Sequence, residues 1–244
     1  MPRLYSPVPL ATGSMLDLPA SAARHVQVLR MQPGESVTLF DGQGGEFEAV
    51  IERMGRSDVS VAVGRHDPVE REAARAIHLV VGMPANERMD WLVEKATELG
   101  AASIQPVLAQ RSVLKLQGER AQKKQAHWQA IAIAACEQSG RNRVPLLHPV
   151  LGFAAWVATL GSAAPNETAK LLLSLSLAPE GLALALAGPT PSEFLLLSGP
   201  EGGLTPQEEA LAIEAGFLRA SLGPRVLRSE TAPLAALAAL TLRG

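Results

Sequence analysis

Two glycine-rich segments in the C-terminal half carry the residues best suited to chemistry. The apolar run Phe194-Leu195-Leu196-Leu197-Ser198 enters Gly199-Pro200-Glu201-Gly202-Gly203, and Thr205-Pro206-Gln207-Glu208 then reads as a capping box with proline at the first helical position. The order is strand, glycine loop, helix. Glycines let a backbone come close to a ligand and leave its N–H groups free to bind it. The segment lacks the lysine and spacing of a phosphate-binding P-loop and the G-x-G-x-x-G order of a dinucleotide fold, which disfavours a nucleoside triphosphate. A second segment, Leu222 to Ala232 (LGPRVLRSETA), again follows a short apolar strand and leads into a helix. Two such loops can face one pocket.

The elements that must position these loops follow from periodicity. Ile77–Val81 reads as a short apolar strand, and Met89, Leu92, Val93, Ala96 and Leu99 recur at helical spacing until Gly100 closes the helix. Ile104–Ala109, Leu171–Leu175 and Phe194–Ser198 read as further strands, and Glu119–Ser139 as a long helix. This alternation predicts an α/β sheet with helices on both faces, whose ligands sit beyond the carboxyl ends of its strands. Upstream, Ser36–Phe40, Glu46–Arg53 and Asp58–Val63 alternate like strands after a short helix over Ala20–Leu29. The charged stretch Arg65–Arg75 separates the two patterns, giving a β-rich module over 1–70 and an α/β domain over 74–244. PLAALAALTL, near the C-terminus, is apolar around most of its circumference and calls for burial beyond one face.

Composition narrows the function classes. A net charge of -2 argues against a surface that is basic throughout, but Arg111, Lys115, Arg120, Lys123, Lys124, Arg141 and Arg143 face only Glu119 and Glu137 within that stretch, a local patch suited to a phosphate backbone or a solvated helix face. The single cysteine, Cys136, excludes an internal disulfide and lies in an alanine-rich helix, where it reads as a small core residue. The five histidines show no metal-ligand spacing, so no metal is expected. Trp91, Trp128 and Trp156 read as helix core. With no apolar run of signal or membrane-spanning length, the expectation is a soluble, cytoplasmic protein.

GPEGG and LRSETA, together with ACEQSGR (Ala135–Arg141) and RHVQVLR (Arg24–Arg30), resemble the ribosomal RNA uridine-N3 methyltransferases of the small subunit, members of the knotted SPOUT class. The likeness spans nearly the whole chain; Ser229 departs from an expected threonine, and the stretch from Ser162 to Pro191 is alanine-rich and loosely patterned. The resemblance implies a PUA-like β-barrel that docks RNA, a trefoil knot in the C-terminal domain, S-adenosylmethionine as cofactor, 16S ribosomal RNA as substrate and a homodimer. It implies cofactor contacts from Leu173, Ser198, Gly199, Glu201, Gly202, Gly203, Leu222, Gly223, Leu227 and Ala232. RNA contacts are expected from Arg24, Arg30 and Arg141 in its motifs and from Lys123 and Lys124 in the basic stretch. Methylating uridine N3 means stabilising the anion left by a weakly acidic imide, a task for cationic donors. Arg225 and Arg228 are assigned to it, with Glu230 orienting an arginine or acting as base. Two readings compete: an inert RNA-binding assembly factor, and a related enzyme that methylates a ribose hydroxyl or another base.

Overall fold

The computed structural model describes residues 1–85, 87–160, 168–174 and 191–242. The chain divides into two compact units, Met1–Glu72 with Ile133–Val144, and Ala73–Ala132 with Pro145–Gly244.

The first unit holds β1 (Arg3–Tyr5), β2 (Met15–Asp17), α1 (Ala20–Val28), β3 (Ser36–Phe40), β4 (Glu46–Met54) and β5 (Val59–Asp67). Its sheet runs β1-β3-β4-β5-β2, with β1 parallel to β3 and the other pairs antiparallel. β4 shows why these residues make strands. Phe47, Ala49 and Ile51 point inward while Glu48, Val50 and Glu52 point out, the period of two that a half-buried sheet demands. Val26 from α1 joins Leu4, Val37, Leu39, Ile51 and Val61 in a core with no exposed surface. The turn between β3 and β4 runs through Gly42, Gly44 and Gly45 at φ of 83°, 110° and 68°, a left-handed path that glycine takes without strain.

The sequence division at residue 74 gives residues 133–144 to the second domain; the structure assigns them to the first unit, and ion pairs explain the difference. Glu46 accepts from Arg3 at 2.5 Å and Arg71 at 2.8 Å, and these hydrogen-bonded arginines, Arg71 foremost, hold its carboxyl down to about 2. Glu70 pairs with Arg143 at 2.9 Å, Glu72 with Arg141, and Glu137 accepts the Tyr5 N–H at 3.0 Å. Asn142 accepts from Arg3 at 2.6 Å and donates to the Val69 carbonyl at 2.7 Å. Cys136 is buried among these groups, and burial pushes its thiol up to about 12, as suits an inert core residue.

The second unit holds β6 (Ala76–Gly82), α2 (Glu87–Glu98), β7 (Ser103–Leu108), most of α3 (Gly118–Ser139), β8 (Leu146–Leu147), β9 (Leu151–Gly152), α4 (Phe153–Thr159), β10 (Thr168–Leu173), β11 (Glu193–Ser198), α5 (Pro206–Glu214), β12 (Leu218–Ala220) and α6 (Thr231–Thr241). Among the described residues every strand pair is parallel, in the order β12-β10-β11-β6-β7-β8 with β9 also on β7. The continuous apolar runs of β6 and β11 lie at its centre, where both faces are covered. The strand expected over Leu171–Leu175 is β10; Leu175 and residues 161–167 and 175–190, within the loosely patterned stretch, lie outside the described residues.

One expectation is corrected here. Trp128 and Trp156 are core residues, but Trp91 is 45% exposed. Helix α2 buries Met89, Leu92, Val93 and Ala96, and the 3.6-residue period turns position 91 away from that stripe. Helix α6 finds its burial inside its own chain: Leu234, Ala236, Leu237 and Leu240 are all buried, which leaves mainly Ala235 and Leu242 in solvent.

Candidate active site

The second unit contains a cavity of about 370 Å³ beyond the carboxyl ends of β10, β11 and β12. Its volume lies in the ~300–1,000 Å³ range of small-molecule sites. Three chain segments build most of the wall: Leu172–Ser174, Ser198–Leu204, and Ala220 to Leu227 without Pro224. Arg111, Glu209, Ser229 and Ala232 complete it. The ten residues expected to contact a cofactor, Leu173, Ser198, Gly199, Glu201, Gly202, Gly203, Leu222, Gly223, Leu227 and Ala232, are thus brought together on one surface.

The first loop is held from every side. A Cβ on Gly199 would stand 2.8 Å from the Leu204 nitrogen, and one on Gly82, at the end of β6, would stand 2.6 Å from the Pro200 nitrogen. Only glycine permits that approach of backbone to backbone. Arg111 Nη1 donates to the carbonyls of Gly202 at 3.0 Å and Leu204 at 3.4 Å. The capping box forms at Thr205 and Glu208, starting α5, and the second oxygen of Glu208 accepts the Gln110 N–H at 2.7 Å. Glu201 accepts from the Ala85 N–H at 2.9 Å and from Arg88 Nη1 at 3.3 Å. Ser198 Oγ, on the cavity wall, is buried without a hydrogen-bond partner among the described residues, a group that a ligand with a polar edge would satisfy.

The second loop is open. Gly223 has φ of 100° with nothing near a prospective Cβ, Arg225 is exposed, and Val226 is 77% exposed. Among the described residues, the side-chain bonds within it run between Ser221 and Gly223, at 3.2 and 3.4 Å. Arg225 lines the cavity. Arg228 does not; its side chain is exposed while its carbonyl accepts from the N–H groups of Thr231 and Ala232 at the start of α6. Glu230 carries two expectations, orienting an arginine or acting as base. It is buried, lies outside the cavity wall, accepts from Ser229 Oγ at 3.0 Å and stands 3.8 Å from Arg88 Nε. Of the two roles expected for it, that geometry suits holding an arginine and not taking a proton in the cavity.

The expected RNA contacts divide. Arg24 and Arg30 are exposed on the first unit, and Lys123 is exposed on α3 with Lys124 half-buried 3.8 Å from Asp90. Arg141 is corrected: it is 4% exposed and committed to Glu72, so it has no face to offer a phosphate. The basic stretch is also smaller than its sequence suggests, because Arg111, Arg141 and Arg143 are engaged with protein groups. Sequence reasoning missed Arg111 and Arg88 as wall supports. Only the spare oxygen of the capping-box glutamate offered a signal, pointing to a partner for Glu208. Among the described residues, no group of His, Cys, Asp and Glu is placed to hold a metal ion, and no helix is long and apolar enough to cross a membrane.

Comparison with known proteins now bears on this site. A family model described as an RNA methyltransferase domain matches residues 71–241, and one described as an RNA methyltransferase PUA domain matches residues 18–63. The ribosomal RNA small subunit methyltransferase E of Bacillus subtilis is 34% identical over 88% of this chain and 85% of its own. The crystal structure of the Neisseria gonorrhoeae ribosomal RNA small subunit methyltransferase E, bound to S-adenosylmethionine, superposes with a TM-score of 0.89 at 39% identity, covering 100% of this chain and 98% of that one. A Legionella pneumophila protein in complex with the same cofactor gives a TM-score of 0.90 at 38% identity, covering 99% and 97%. With the fold, the paired glycine loops and these relatives in agreement, the chain belongs to the RNA methyltransferase family, alongside the ribosomal RNA small subunit methyltransferases E.

Proposed function

We propose that this protein transfers the methyl group of S-adenosylmethionine to N3 of a uridine in 16S ribosomal RNA. The observation that carries the reading is the convergence of both glycine loops on one cavity. The wall fits the cofactor. Leu172, Leu173, Leu204, Leu222 and Leu227 offer apolar surface to a flat ring, loop N–H and carbonyl groups serve its polar edges, and Ser198 Oγ waits for a partner. The two solved relatives that hold the cofactor support the same assignment.

S-adenosylmethionine supplies an electrophilic methyl on a sulfonium centre; the protein's part is alignment and charge. Loss of the N3 proton spreads negative charge onto the two flanking uracil carbonyls. Arg225, on the cavity wall, and Arg228, exposed beside it in sequence, carry planar forks of donors suited to those oxygens. Exposed Arg24, Arg30 and Lys123, with Lys124, serve the phosphate backbone, an attraction that weakens steeply with salt. The protein acts in the cytoplasm as a homodimer, its cofactor loops held in a trefoil knot within the second unit and its RNA docked by the β-rich first unit.

The test is calorimetry with S-adenosylmethionine followed by nucleoside analysis of small-subunit RNA treated with the protein. Binding and 3-methyluridine are expected. Absence of cofactor binding would favour the inert RNA binder, and a ribose-methylated nucleoside would move the chain to another chemistry. Light scattering checks the dimer, and a strictly monomeric active protein overturns it.

A further inference from the structure

The structure assigns Arg88 the role of a positioning residue, whose guanidinium spans the carboxylates of Glu201 in the first glycine loop and Glu230 in the second and so sets the separation of the two loops. The inference rests on the reading of the cavity as the cofactor site. Arg88 is the second residue of α2, and two edges of its guanidinium face two different acids: Nη1 stands 3.3 Å from Glu201 Oε1 and Nε 3.8 Å from Glu230 Oε1.

Neither carboxylate has a simpler local explanation. An acid beside a helix start commonly caps it. Glu230 is the N-cap residue of α6, yet its side chain makes no capping bond. Glu201 precedes α5, but that helix is already capped by Thr205 and Glu208. Both acids turn to the start of α2, where the Ala85 N–H reinforces Glu201 and Ser229 Oγ holds the other oxygen of Glu230. Glu230 is 7% exposed, and a carboxylate so buried is costly without its counter-charge. Removing the guanidinium therefore disturbs the second loop through Glu230 and the cavity wall through Glu201, although Arg88 does not line the cavity itself.

Arginine is required over lysine by shape. A planar fork meets two partners in fixed directions, whereas an ammonium is a point charge that settles on one. Arg88→Met is therefore expected to weaken S-adenosylmethionine binding about tenfold, within the range for members of coupled networks. Arg88→Lys should fall between it and the unaltered chain. The RNA Kd should stay within about twofold, since the docking groups lie on other elements; a tenfold change corresponds to about 1.4 kcal/mol.

The experiment measures cofactor Kd, RNA Kd, KM and kcat for the full chain and for Arg88→Met, Arg88→Lys, Glu201→Gln, Glu230→Gln and the double variant Arg88→Met/Glu201→Gln, with melting midpoints for each. Glutamine at 201 keeps an oxygen for the Ala85 N–H while losing the charge that faces Arg88, so it carries the test if Arg88→Met does not fold. The proposal expects the double variant to bind cofactor no worse than Arg88→Met alone. Unchanged cofactor affinity in Arg88→Met, full additivity in the double variant, or equal losses of RNA and cofactor binding would overturn it. Failure of the unaltered chain to bind S-adenosylmethionine is a separate result, which removes the cavity reading and this role with it.

Discussion

The two loops that face one cavity are built on opposite plans. In the first, residues 199–204, bonds arrive from Arg111, Gln110 by way of Glu208, Ala85 and Arg88, and glycines permit backbone contacts that no other residue would tolerate. In the second, residues 221–228, exposed Arg225, Val226 and Arg228 project from a segment whose internal side-chain bonds, among the described residues, lie within Ser221–Gly223. A site that must hold one ligand and act on another can divide the work this way. The rigid loop preorganises the surface for the small molecule, and the open one leaves charged groups able to follow an RNA base.

The comparison breaks most severely through Gly199→Ala. The added methyl meets backbone at 2.8 and 3.0 Å, and backbone cannot step aside as a side-chain tip can. Overpacking of this kind costs about 1–3 kcal/mol, and here it falls on the wall, so calorimetry should detect no cofactor binding in a still-folded protein. Gly202→Val should act in the same direction by pushing on Arg111, whose Cβ would lie 3.0 Å away. Retained affinity in both would mean that the rigid loop is not the cofactor surface.

Next in size is Arg228→Ala, with Arg225→Ala beside it. Loss of a charge-stabilising donor lowers kcat on the order of 10²-fold, and the division of labour requires cofactor Kd to stay within about twofold. Isothermal binding and single-turnover methylation separate the two outcomes; a parallel loss of cofactor affinity would assign these arginines to the first task.

Thr205→Ala removes the cap of α5 and should cost about 1 kcal/mol, read as a lower melting midpoint with weaker cofactor binding. The smallest effect belongs to Val226→Ser, at an exposed position where substitutions usually stay within about 0.5 kcal/mol. A larger loss, or a change of mass in light scattering, would show that a second copy of the chain covers the open loop.

How far the sequence could lead depended on the range of the forces involved. The strands of the parallel sheet were legible because burial on both faces writes a continuous apolar run, and α2 because its stripe recurs at helical spacing. The glycine loops were legible because Thr205-Pro206-Gln207-Glu208 marks where a helix starts and therefore where the loop ends. The supports were not. Arg111 reaches the first loop, and Gln110 the glutamate of the capping box behind it, across 91 and 98 residues of chain, and no local pattern announces such pairings. Arg111 and Arg141 even misled, since an arginine bonded to carbonyls or a buried glutamate has the same sequence signature as one waiting for phosphate. Trp91 was a different kind of miss: the helical period already placed it off the buried stripe.

The ion pairs around residues 133–144 also bear on how the chain is made. A domain completed by residue 72 could close early in synthesis, as N-terminal domains commonly do. Here Glu70 and Glu72 must wait for Arg143 and Arg141, more than sixty residues later, and Tyr5 for Glu137. By the time Arg141 and Arg143 emerge, β6, α2, β7 and the whole of α3 have already been synthesised. The first unit therefore finishes only after the long helix exists, and a chain that began at residue 73 would separate buried Arg141 from Glu72 and half-buried Glu137 from Tyr5. Limited proteolysis of stalled nascent chains should find the first unit protected when the chain ends well beyond residue 144, and digestible when it ends near residue 110.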